Sequence, residues 1–141
     1  MKKEELMYGN KLLFLNEVVT FSNISQIRED GIFWIKTIES KIDSKSFHFK
    51  PIPLTEEWLL KFGFTEEKQY YSSILSFFWL DAHKSLENSE FYIFFDTEVK
   101  SIGLHSMENE NNISKYFYNI KFVHQLQNLY FALTGTHLKL K

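Results

Sequence analysis

His48, His83, His105, His124 and His137 are the chain's five histidines. They come first because imidazole titrates near neutrality and ligates metals. No two stand four residues apart around a glutamate, so the HExxH helix of zinc hydrolases cannot be written. Asp81 and His83 are two apart, which sets them on one face of a strand as an acid–base or metal pair. Such a pair acts only with a third, orienting group and a pocket, and the simpler reading is a polar strand end. His124 and Asn128 lie one helical turn apart, where a histidine at a helix start more commonly bonds backbone or solvent. Cysteine is absent, and with it a thiolate nucleophile, a disulfide framework and Cys-ligated zinc. No Gly-x-Ser-x-Gly elbow occurs. Gly9, Gly31, Gly63, Gly103 and Gly135 are isolated, which excludes Walker and dinucleotide loops. Glu56-Glu57, Glu66-Glu67 and the Glu108/Glu110 pair read as first-turn or loop residues, where capping and solubility account for them. These negatives describe a non-enzymatic protein with no catalytic residue, no metal site and no cofactor.

The excess lies in aromatics: 15 Phe, 7 Tyr and 3 Trp. A small domain does not fully bury so many, and exposed aromatics concentrate at protein interfaces. Tyr70, Tyr71, Phe78, Trp79, Tyr92 and Phe94 belong to one region and form the expected partner-binding set. The competing reading makes them the core of a sheet. Stacking on single-stranded nucleic acid would also use such rings, but it needs a positive groove, and Lys68, Lys84 and Lys100 are sparse and answered by glutamates.

The elements that would position these residues are legible in outline. Residues 12–15 and 18–24 are apolar-rich runs separated by Asn16-Glu17 at hairpin spacing. A turn at Asp30-Gly31 leads to a strand over 32–38, residues 40–46 are polar, and Phe47-His48-Phe49 alternates as a strand does. Four short strands in fifty residues predict a small curled sheet of SH3-like kind. Pro51 and Pro53 end it. Thr55 as N-cap, Glu56 and Glu57 in the first turn, Leu54 and Leu59 as a hydrophobic staple, Lys61 in the last turn and Gly63 beyond it predict a short helix. Residues 70–80 and 91–95 read as strands of a second sheet, with 99–105 and 116–120 as further candidates and Gly103 as a bulge. Ser85 to Ser89 and Glu108 to Asn112 are polar loops. Phe122, Leu126, Leu129 and Leu133 form the apolar stripe of a second helix over 122–133. Gln125, Gln127 and Asn128 occupy its polar side, Gly135 ends it, and Leu138-Lys139-Leu140 reads as an edge strand. The expected class is α+β, one domain over residues 1–141: a β unit at 1–50, a linking helix at 51–64, a second sheet at 65–121, and a C-terminal helix and tail at 122–141.

Length and charge set outer bounds. A chain of 141 residues buries a sizeable core without staples. A net charge of -2 argues against a dedicated nucleic-acid binder. The opening Met1-Lys2-Lys3-Glu4-Glu5 breaks any signal-peptide run, and apolar runs such as Phe77 to Leu80 are far too short to span a membrane. The expectation is a cytosolic protein. One Arg, Arg28, among 16 Lys and Arg is what an AT-rich genome writes.

Two blocks carry a resemblance: Pro51-Ile52-Pro53-Leu54-Thr55-Glu56-Glu57-Trp58-Leu59-Leu60-Lys61-Phe62-Gly63-Phe64 and Val123-His124-Gln125-Leu126-Gln127-Asn128-Leu129-Tyr130-Phe131-Ala132-Leu133-Thr134-Gly135. With an opening Glu5-Leu6 and Gly9-Asn10, they resemble small proteins common in phages and prophages of the Bacteroidota. The family's Arg-Ile before Gly-Asn is Met7-Tyr8 here. That family has no assigned general activity and lends no catalytic residues. Between Thr65 and Lys121 the likeness lapses, which makes the middle the natural place for this chain's own partner surface. The resemblance implies a phage context and a host bacterial cytosol. A small accessory phage protein of this composition is expected to inhibit host antiviral defence by binding, in its sharpest form as an anti-CRISPR protein on an RNA-guided nuclease effector. The alternatives are a nucleic-acid-binding accessory protein using the small barrel and a virion assembly protein, with a homodimer compatible with any of them.

Overall fold

A computed structural model of the chain describes residues 2–39, 42–70, 74–81, 91–106 and 113–141. Its first half is a five-stranded antiparallel sheet in the order β4-β3-β2-β1-β5. The strands are β1 (Lys11–Phe14), β2 (Glu17–Ile27), β3 (Phe33–Thr37), β4 (Asp43–Lys45) and β5 (Phe49–Pro51). A four-strand meander that returns through a 3-10 turn, here Ser46–His48, to lay its last strand beside its first is the SH3-like order. Register shifts in β2, between Phe21 and Asn23 and between Ile24 and Gln26, bend that long strand. The bend closes the sheet around Leu12, Val19, Phe21, Phe33, Ile35 and Phe49.

The hairpin turn differs from its sequence reading by one residue. Leu15 and Asn16 form it, both at positive φ (49° and 70°), as a type I′ turn requires. Glu17 instead opens β2, opposite Phe14. Two further differences have one cause. Asp43-Ser44-Lys45, read as polar loop, is edge strand β4, and Phe47-His48, read as strand, is the 3-10 turn. A short edge strand may carry charge because one side meets water. Pro51 fits β5 because that strand is the opposite edge, where a missing N–H costs no ladder bond.

Helix α1 (Glu56–Lys61) forms where its local signals converge. Thr55 stands at the N-cap, although its side chain makes no capping hydrogen bond. Leu59 is buried and Leu54 packs against the same cluster. Lys61 Nζ pairs with Glu57 at 2.6 Å and lies over the Trp58 ring at 5.0 Å. Gly63 takes φ +83°, and the side chain of Lys141 fills the space a Cβ would need.

The second sheet is also antiparallel, in the order β10-β9-β8-β7-β6. Its strands are β6 (Thr65–Tyr70), β7 (Ile74–Asp81), β8 (Phe91–Asp96), β9 (Ser101–Ser106) and β10 (Ile113–Phe117). The segment 70–80, read as one strand, is thus the end of β6 and most of β7, and Glu66-Glu67 belongs to β6. Gly103 is no bulge. It pairs in regular register with Phe94, and its missing Cβ makes room for the Phe94 ring.

Helix α2 (Val123–Thr134) ends at Gly135 in the left-handed conformation, φ +70°. Gln125 Oε1 accepts the Phe122 and Lys121 backbone N–H groups and closes the helix start. Phe78, Leu80, Ile93, Phe95 and Ile102 of the sheet meet Leu59, Phe62 and Phe64 of the α1 segment, Val123 and Leu126 of α2, and Leu138 of the tail. The tail runs alongside α1 through Lys141 N to Lys61 O at 2.9 Å and forms no strand.

Residues 52–54 and 121–123 run side by side. Leu54 N donates to Lys121 O and Val123 N to Ile52 O, each at 2.9 Å, and Pro53 bridges Phe122. The two blocks that carry the resemblance are therefore one structural unit, the seam between barrel and helix-backed sheet.

Candidate functional site

Of the six aromatics read as a partner surface, Phe78 and Phe94 are buried on opposite faces of the sheet. Phe78 is 2% exposed and packs edge-on to Phe95 in the helix-backed core. Phe94 is 3% exposed, on the opposite face of the sheet, with Tyr116 edge-on at 5.5 Å. Rings this buried offer a partner almost no surface, so both are corrected to packing residues. The reason is the two-residue period of a strand: Phe78 is paired with Phe95 and Trp79 with Phe94, so neighbours alternate between faces. Tyr92 is half-buried and lines a cavity of about 570 Å³ with Leu80, Tyr130 and His137. Trp79 and Tyr70 have described backbone positions in β7 and β6, Trp79 opposite Thr65 and Tyr70 opposite Ile74. Their side chains and all of Tyr71 lie outside the described residues.

The polar face of α2 is the next departure. Gln127 is buried and Asn128 half-buried, and both hold the N-terminal segment. Gln127 accepts from Lys11 N at 2.9 Å and donates to Gly9 O at 3.2 Å. Asn128 donates to Glu5 O at 2.6 Å and accepts from the Asn10 side chain at 2.9 Å. His124 is 1% exposed, stacked on Phe122, with Glu5 Oε2 at 3.7 Å, beyond hydrogen-bonding distance. Among the described residues, neither ring nitrogen has a hydrogen-bond partner. Burial lowers its pKa below the usual histidine range, against the opposing pull of Glu5. His124 and Asn128 are thus parts of a docking seam and not an acid–base pair.

Other chemistry-bearing groups have structural partners. Asp96 accepts from Glu98 N and Val99 N, capping the β8–β9 turn, and from Tyr116 Oη at 2.9 Å. Burial and that carboxylate push the Tyr116 phenol up to about 12. Burial raises the Glu39 carboxyl, but hydrogen bonds from Thr20 and the nearby Lys11 ammonium outweigh it and hold the pKa below the usual value. His48 Nδ1 lies 2.7 Å from Ser44 Oγ, while the adjacent carboxylate, Asp43, accepts from Ser25 instead. Among the described residues, no three His, Asp or Glu side chains gather as metal ligands. The Asp81/His83 pair cannot be placed, since His83 lies outside the described residues.

What sequence reasoning missed is at the open end of the barrel. Leu15, at the tip of the β1–β2 turn, is 76% exposed, and Phe47, in the 3-10 turn, is 60% exposed. They flank a hollow of about 300 Å³ lined also by Leu13, Asn16, His48 and Lys50. Lys45 Nζ sits between rings, 5.6 Å from Phe47 and 5.7 Å from Trp34. The available signal was the turn itself. An Asn at the second position of a two-residue loop forces the residue before it, a leucine, to the tip.

Fold and surface together define an α+β chain made of an SH3-like barrel fused through a polar seam to a helix-backed sheet, with a hollow of mixed polar and apolar lining on the barrel. Compared with known proteins, the chain matches no family model, no curated protein and no solved structure.

Proposed function

We propose that the chain is a non-enzymatic protein-binding module, and in its finer form a phage-encoded inhibitor of host antiviral defence acting in the host bacterial cytosol on an RNA-guided nuclease effector. One observation carries the binding reading. Leu15 and Phe47, two large apolar side chains, stand open on either side of a hollow instead of folding into the adjacent barrel core. Exposed apolar groups around a concavity are the usual mark of a protein interaction site. The finer reading is supported by the resemblance of residues 51–64 and 123–135 to Bacteroidota phage proteins, and by a cysteine-free, mildly acidic composition. No helix of the described residues is long and apolar enough to cross a membrane.

A tagged pull-down from a CRISPR-bearing host, with and without nuclease treatment and read by mass spectrometry, tests it. A stoichiometric, nuclease-resistant effector supports the inhibitor. Recovery of the chain alone points to assembly. Nucleic acid alone supports a second reading, an accessory nucleic-acid binder, which one observation favours: Lys45, Lys50 and His48 stand beside the exposed Phe47 ring.

A further inference from the structure

Leu15 is penalised twice where it stands. A leucine so exposed leaves apolar surface in water. Its φ of +49° is a left-handed conformation that Gly, Asn and Asp tolerate and leucine resists. An asparagine would satisfy both solvent and backbone, as Asn16 does at the next position, φ +70°. The barrel core takes Leu12 and Phe14 from the same strand and leaves Leu15 outside, so among the described residues burial does not offset the two penalties. Strain held at an exposed apolar residue points to a contact made outside the chain.

The charges around it indicate the contact's chemistry. Lys50 lines the hollow and Lys45 flanks Phe47, whereas the carboxylate beside the turn is Glu17. Asp43, on the neighbouring edge strand, is engaged by Ser25 at 2.7 Å. A second copy of the chain would bring the same cations against these, which disfavours a symmetric pairing here.

We propose that the hollow between the Leu15-Asn16 turn and the 46–48 turn docks an acidic segment of a partner protein. One apolar side chain of that segment sits between Leu15 and Phe47, and its carboxylates face Lys45 and Lys50. This inference rests on the protein-binding reading above and names the surface and the partner's chemistry.

The test uses the full chain and two fluorescein-labelled probes: a blocked peptide alternating Asp or Glu with Leu and Phe, and the same peptide with Asn and Gln at the acidic positions. Amide NMR shifts locate binding and anisotropy measures it. The acidic peptide should bind, with shifts at Leu15, Asn16, Phe47 and Lys50. The neutral peptide, and the acidic peptide against K45Q/K50Q, should bind about tenfold more weakly, with affinity falling as salt rises. Leu15→Asn, which suits the turn and keeps the fold by circular dichroism, should weaken binding by a similar factor. Equal binding of both peptides, shifts confined to other surfaces, tighter binding of a single-stranded oligonucleotide, or self-association abolished by Leu15→Asn each overturns the proposal. If the acidic peptide fails to bind while the tagged chain still captures a stoichiometric protein, this surface is refuted and the binding reading stands. If neither binds, both fall.

Discussion

The helix-backed sheet and the barrel dispose of their apolar side chains in opposite ways. In the sheet, the face away from α2 carries a covered ring: Phe94 lies over Gly103, against Tyr116, and is as buried as Phe78 on the core face. At the open end of the barrel, Leu15 and Phe47 remain in water although a closed core lies one residue away. An aromatic count cannot separate these cases, because it does not register which rings have a partner. Position in a turn does, since a tip residue has no strand neighbour to cover it. Regular strand register opposite a glycine therefore marks packing at Phe94, and a place at a turn tip marks exposure at Leu15.

The sharpest break of that comparison is a matched pair of truncations. Phe94→Ala removes a buried ring and leaves a void above Gly103, so it should cost about 3–5 kcal/mol of unfolding free energy. Phe47→Ala removes an exposed ring and should stay within about 0.5 kcal/mol of the parent. Urea titration of both reads the difference. A Phe94→Ala protein as stable as Phe47→Ala would mean that the outer face of the sheet is open after all.

The seam between the two regions comes next. Gln127→Ala leaves the Lys11 N–H and the Gly9 carbonyl without their partner, and Asn128→Ala does the same to the Glu5 carbonyl and the Asn10 side chain. Stranding a fully buried backbone group costs about 1–3 kcal/mol, and these part-buried groups, which water can reach, should fall at the low end of that range. Hydrogen exchange should quicken at the Lys11 amide in Gln127→Ala, while amides of β8 and β9 stay protected. Uniform quickening would show that the segment is no separable element.

Legibility followed how many forces acted on each element. Helix α1 was readable because N-cap position, hydrophobic staple and terminal glycine agreed, and helix α2 because a long apolar stripe ran into a terminal glycine. Strands β4 and β6, with the sequences DSK and TEEKQY, were hidden because both are sheet edges, and an edge strand wears the charges of a loop. The α2 glutamine and asparagine were assigned to solvent because a helical wheel shows one packed face, whereas this helix is packed on two. Phe78 and Phe94 left the expected partner set for a related reason. They are neighbours in register, but strand alternation sets Phe78 toward the helix-backed core and Phe94 on the opposite face.

Acid should act on the seam. The His124 pKa is held below its usual value by burial, so the unfolded chain takes up a proton near pH 6.5 that the folded ring resists. The contribution is present above that pH and is lost as pH falls from about 6.5 toward the folded value, by about 1.4 kcal/mol for each unit of depression. Glu5 faces the ring and moderates the effect. Glu39, whose carboxyl lies below its ordinary 4.5, loses its own contribution only in more acidic solution, which leaves the interval from pH 7 to 5 to histidine. His124→Phe keeps the stack on Phe122 and should flatten the urea midpoint over that interval. Parallel wild-type and variant profiles would sink the assignment.

The smallest effect has the opposite sign. Leu15→Asn should stabilise the chain by about 0.4–1 kcal/mol, because asparagine relieves the positive-φ strain and withdraws no buried surface. Thermal melts of the parent and the variant measure the gain. A gain combined with weaker partner binding means that the parent gives up stability at the tip to keep an apolar contact there. A loss of stability would mean that Leu15 packs against Leu13 or Phe47 within its own chain, and the contrast between a closed sheet and an open barrel end would then disappear.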